Sequence, residues 1–133
     1  MADSRVELAT GWLKKARNDL GSARRLAQPP EPFLDTAIYH CQQAAEKALK
    51  AYLVFHDIAF ERTHNLSVLL ELCVEVQAGF DEFEDQADLL TPYATAFRYP
   101  AEFFEEPDEE QVQEAIGFAE SILNFVLTQM HLK

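Results

Sequence analysis

Apolar residues recur at alternating steps of three and four along most of this chain, and no stretch alternates in the manner of a strand. Val6, Ala9, Leu13, Ala16, Leu20, Ala23 and Ala27 form the first such seam, with Trp12 beside it. A period near 3.6 residues puts one apolar stripe on a helix, and a stripe must be buried against another helix. The spacing therefore predicts an all-α chain. The first helix is expected from about 4 to 27, ended by Pro29, Pro30 and Pro32. The second is expected over 33 to 56, where Leu34, Ala37, Ile38, Cys41, Ala45, Ala48, Leu49 and Tyr52 share a face. The third starts near His64 or Asn65, carries Leu66, Leu69, Leu70, Cys73 and Val76 on one side, and has Gly79 as its expected stop. A fourth element begins near Asp81 and uses Phe83, Ala87 and Leu90. Pro92 breaks it, with Thr91 as a cap and a short helix on to about Phe97. Pro100 and Pro107 bracket an acidic, aromatic linker. Asp108 then caps the last helix, with Gln111 in capping-box position and Val112, Ala115, Ile116, Ala119, Ile122, Leu123, Val126 and Met130 at helical spacing. Five helices, the fourth split, suit an up-and-down bundle.

At 133 residues, 48% of them apolar, one domain over 1–133 is expected. The net charge is −12, and it is unevenly spread. Residues 1–28 carry six Lys/Arg against three Asp/Glu, whereas residues 71–120 carry fifteen Asp/Glu against Arg98 alone. General DNA binding draws most of its affinity from neutralising phosphates, so this balance argues against it. Any nucleic-acid contact must be local or use a basic partner. Cys41 lies on an apolar stripe and Cys73 in an apolar run, which points to buried free thiols rather than a disulfide. The polar start lacks a secretory leader, and no apolar run approaches the roughly 20 residues a membrane span needs. A cytoplasmic setting is expected, without metal or cofactor, since no Cys/His cluster or carboxylate–histidine metal spacing occurs.

The second helix also carries polar residues. His40, Gln43 and Lys47 fall on one stripe at the border of its apolar face. Lys47 offers a point charge for a phosphate and Gln43 both donor and acceptor, so an anion or nucleotide site is one reading. The other is a helix–helix hydrogen bond from His40 and a solvated Lys47. His64, at a helix start that disfavours a cation, can hydrogen-bond across its loop or face the same site as His40. Arg62 reads as a loop cation. Arg98 precedes Tyr99-Pro100, where the chain must turn. Its guanidinium can grip a carboxylate, Glu46 among the candidates, or a phosphate. Glu46 and Lys50 read as an i, i+4 pair worth only about 0.3–0.5 kcal/mol. Phe103-Phe104 can dock a partner or fold over the bundle end. Fourteen Phe plus Tyr in so small a helical chain suggest a homodimer or higher oligomer.

Several of these pieces, in this order, resemble the HEPN family of small bacterial and archaeal helical domains. They are HCQQAAEKALKA from His40, RTHNL from Arg62 and RYP from Arg98, flanked by WLKKARNDLGSA from Trp12 and an alanine-bearing last helix. The resemblance implies a helical bundle, frequent dimerisation, and pairing with a minimal nucleotidyltransferase in toxin–antitoxin-like modules. Some members are metal-independent ribonucleases, and others bind a nucleotide or a partner. The ribonuclease members use an arginine followed four to six residues later by a histidine. No histidine follows Arg98, Arg62 or Arg5 at that spacing. The resemblance so read points to a binding module, with His40, Gln43, Lys47, His64, Arg98 and Tyr99 as its ligand site. The alternatives are a ribonuclease with a rearranged base, drawn from His40 or His64, and a purely structural helical oligomer.

Overall fold

The computed structural model describes residues 4–97, 100 and 105–131. Among these residues five helices run in order: α1 Ser4–Leu26, α2 Leu34–Phe55, α3 Leu66–Val76, α4 Glu84–Leu90 and α5 Glu109–Gln129. Short 3₁₀ turns, Ala78–Phe83 and Thr91–Ala94, flank α4. No strand occurs among the described residues. The expected all-α bundle is the one observed.

The central element is α2, which packs against α1, α3 and α5. Its sequence explains why. Ala37, Cys41, Ala44, Ala45, Ala48 and Ala51 are all fully buried, and their small side chains let neighbouring helices approach on several sides. From Cys41 to Leu53 only Lys47 is not buried, so the helix has almost no solvent face. α1 runs antiparallel to it: as α1 advances from Trp12 to Asp19, its partners on α2 step back from Lys50 to Lys47 and His40. The α1 seam is buried from Ala9 to Ala27, but Val6 at its start is 44% exposed.

The start of α3 and the capping box of α5 lie where the sequence implies. Asn65 caps α3 by accepting from the backbone N–H of Ser67 and Val68. Asp108 and Gln111 form the full capping box of α5. Two signals act otherwise. Gly79 does not stop α3, which ends at Val76, and it has no positive φ. Its backbone instead passes Phe125 so closely that an added Cβ would lie 3.1 Å from that ring. Thr91 does not cap through its side chain either. Its hydroxyl donates to the Ala87 carbonyl at 2.7 Å and accepts from the Leu66 N–H at 3.1 Å, tying α4 to the start of α3. The turn holding Pro92 ends at Ala94 rather than near Phe97.

Candidate functional site on the central helix

Two carboxylates organise the polar side of α2. The first is Asp19 of α1, buried where α1 crosses α2. Its Oδ1 accepts from His40 Nδ1 at 2.7 Å and its Oδ2 from Lys47 Nζ at 2.6 Å. His40 and Lys47 are therefore brought together, seven residues apart on one stripe, by a third residue that links them across the helix pair. Tyr39 sets its ring edge against His40 with centroids 5.3 Å apart.

The second carboxylate is Glu46, only 3% exposed. Its Oε1 accepts from His64 Nδ1 at 2.9 Å and Gln42 Nε2 at 3.1 Å, and its Oε2 accepts from Lys50 Nζ at 2.9 Å. Burial pushes the Glu46 carboxyl up. Hydrogen bonds from His64, Lys50 and Gln42, with the Lys50 charge, outweigh that and hold the group below its ordinary range. Glu46 and Lys50 are thus a buried, multiply bonded pair and not the weak surface pair that their spacing suggests. Lys50 is further enclosed by the Trp12 and Phe60 rings, whose centroids lie 5.6 and 5.8 Å from Nζ.

Gln42 and Gln43 extend the Glu46 centre. Gln43 donates to the Gln42 side-chain carbonyl at 2.7 Å, and Gln42 donates to the His64 backbone carbonyl at 2.9 Å. This last bond fastens the loop before α3 to the central helix and sets the position of His64. His64 thus bonds across its loop, with its side chain 60% exposed. The structure buries Gln43 against Gln42 on the Glu46 side, and it brings His40 and Lys47 into one centre and His64 into the other. Arg98, Tyr99 and the Phe103-Phe104 pair lie outside the described residues.

Four members of this network escaped the sequence reading as site residues: Asp19, Gln42, Glu46 and Lys50. A signal existed for each. Asp19 follows Trp12 by seven residues, which puts a charge on the seam-side stripe of α1. Gln42, Glu46 and Lys50 form a polar i, i+4, i+8 row in a segment otherwise rich in alanine.

Beside the Asp19 centre lies a cleft of about 300 Å³ lined by Asp35, Thr36, Tyr39, Tyr93 and Phe97. The Tyr93 and Phe97 rings stack there at 5.9 Å and 18°. Cys41 and Cys73 are both free and buried, and burial pushes each thiol up to about 12, so neither is a ready nucleophile. Among the described residues no group of three or more His, Cys, Asp or Glu is arranged to hold a metal. No helix among them is long and apolar enough to cross a membrane.

Known proteins share this architecture. A solved archaeal HEPN homologue, ST0689, is 31% identical with a TM-score of 0.74, over 91% of this chain and 96% of its own. TT1696 from Thermus thermophilus is 28% identical with a TM-score of 0.75, over 89% of this chain and 94% of its own. A Methanocaldococcus jannaschii protein named "Putative toxin MJ1304" is 28% identical over 91% of this chain and 87% of its own length. The HEPN domain model matches residues 9–129, almost the whole of the bundle just described, and the chain belongs to the HEPN domain family.

Proposed function

We propose that this chain is the HEPN component of a toxin–antitoxin-type pair, acting there as a binding module for a nucleotide or other phosphate-bearing ligand. The similarity to a protein named as a toxin supports the setting. The observation that carries the binding reading is the centre in which Asp19 holds His40 and Lys47 side by side. Lys47 has three N–H donors and gives one to Asp19, and His40 gives one of two ring nitrogens. The two remaining Lys47 donors can meet phosphate oxygens, and His40 Nε2 can donate beside them only in the imidazolium form. Asp19 cancels one positive charge, so a dianionic phosphate needs His40 protonated or a further cation. Arg98, next in sequence to Phe97 of the adjoining cleft, supplies it in this reading, with Tyr99 beside it. The cleft volume is at the lower end of small-ligand sites, and its stacked rings suit a base. The partner proposed is a minimal nucleotidyltransferase, the working form a homodimer, and the setting the cytoplasm.

The test is thermal shift with ATP, GTP and 5′-phosphorylated RNA on wild type, His40→Ala and Lys47→Ala. Stabilisation of wild type by at least one ligand, lost in both variants, supports the reading. Equal stabilisation of all three proteins contradicts it. For the partner, co-expression with a neighbouring nucleotidyltransferase gene should yield a complex on purification, and separate elution at micromolar concentration argues against the pairing.

A second reading, a metal-independent ribonuclease, draws on the other centre. Glu46 holds His64 through Nδ1, which leaves Nε2 to act as a base. It would take the 2′-hydroxyl proton as the 2′-oxygen bonds to phosphorus. The 5′-oxygen leaves, protonated by solvent, and a 2′,3′-cyclic phosphate remains. RNA cleavage lost in His64→Ala would select this reading over the binding module.

A further inference from the structure

We infer that the aromatic cleft beside the Asp19 centre takes a guanine base, whose Watson–Crick edge is read by Asp35 and Thr36. This rests on the nucleotide reading above and names the base. The cleft joins two kinds of surface. Tyr93 and Phe97 stack almost in parallel, 18° apart, and give one side a flat aromatic lining. All nucleobases stack on such a surface, so the rings supply affinity and the polar residues must supply choice. Those residues are Asp35 and Thr36, from the first turn of α2. Tyr39, one turn on, lines the same cleft and packs against His40, so it leads from the base end to the phosphate end. His40 follows Asp35 closely in sequence, about 7 Å along the helix axis.

The base follows from the order of donors and acceptors. Asp35 Oδ1 accepts from the Thr36 N–H at 2.8 Å, which serves the start of α2, where Phe33 at the N-cap makes no side-chain bond. The same oxygen meets the Thr36 hydroxyl at 3.4 Å, a long bond that is readily exchanged. Oδ1 carries both of these bonds, which leaves Oδ2 to accept from a ligand. The two residues thus present a carboxylate that only accepts beside a hydroxyl that can donate. Guanine carries its N1–H and N2 amino donors next to the O6 acceptor, so its edge matches both. Adenine sets an N1 lone pair beside a single amino group, and cytosine does the same with N3. Either base would turn a lone pair toward a carboxylate oxygen. Bonds to a carboxylate are the stronger, charge-assisted kind, so the mismatch separates the bases well.

Calorimetric titration of GTP, ITP and ATP into wild type, Asp35→Asn and Lys47→Ala tests the inference. The base of ITP keeps N1–H and O6 but lacks the N2 amino group. Asp35→Asn puts an N–H donor where one carboxylate oxygen stood and keeps an oxygen for the Thr36 N–H, so the fold should persist by circular dichroism. Wild type should bind GTP on the order of tenfold or more tighter than ATP, with ITP between them. Asp35→Asn should weaken GTP by a similar factor and bring ATP level with it or above, because an amide can pair with adenine's donor and acceptor. Lys47→Ala, at the phosphate end, should weaken all three alike. Equal affinities or an ATP preference in wild type, or a GTP preference that survives in Asp35→Asn, overturns the guanine site and leaves the binding module standing. No heat from any of the three also overturns the guanine site, and the reading beneath it falls too if 5′-phosphorylated RNA gives none.

Discussion

Glu46 is the residue on which most of the polar network depends. Its removal leaves Lys50 as a buried cation without its carboxylate, so Glu46→Ala should cost about 3–5 kcal/mol in denaturant unfolding. The His64 end of the network is largely exposed, and His64→Ala should cost less than about 1 kcal/mol. The pH dependence has a definite sign. The folded Glu46 carboxyl lies below its unfolded value, so its contribution is fully present above the unfolded pKa of about 4.3 and is lost as pH falls through the folded value. Melting temperature should therefore drop with acidification below about pH 4, and the drop should be shallower in Glu46→Gln. An equal slope in both proteins would mean that Glu46 is not the group titrating. Ala45, fully buried beside it, tests the centre from the other direction: an aspartate there is a buried charge with no partner, and Ala45→Asp should abolish folding as read by circular dichroism.

Among the helices, glycines separate local propensity from packing. Gly11 and Gly117 stand in helix interiors, and a Cβ at either meets nothing within 4 Å. Alanine at each should stabilise by about 0.5–1 kcal/mol. Gly79→Ala should instead destabilise by about 1 kcal/mol, because the new methyl presses on Phe125, itself packed against Phe80 and Phe83. A Gly79→Ala protein melting above wild type would show that this ring yields freely. The same glycine shows what periodicity conveys and what it does not. Helix number, the α5 capping box and the start of α3 near Asn65 were legible because each depends on residues a few positions apart. The role of Gly79 was not, since it depends on Phe125 from another helix. Likewise His40 and Lys47 were recognisable as a stripe, but Asp19, which binds them together, lies 21 and 28 positions away. Spacing also undervalued the Glu46–Lys50 pair, because helix geometry gives the contact and only packing gives the burial.

Taken as a whole, the molecule is a helical bundle whose central helix is buried nearly all round and keeps its polar residues in order through two inward carboxylates. That order is the basis for proposing a ligand site in a chain of net charge −12, where unspecific attraction to phosphate is absent. The two centres also divide the chemistry. Glu46 fastens the core and the loop before α3, whereas the Asp19 centre reaches the aromatic cleft through Tyr39, which lines it and packs against His40. Calorimetric titration with 5′-phosphorylated RNA and with ATP, on wild type and on Lys47→Ala, tests the central claim most directly. Saturable heat in wild type that weakens as salt rises and disappears in a folded Lys47→Ala protein is the predicted result. No heat from wild type with either ligand, or an unchanged isotherm in Lys47→Ala, would contradict it.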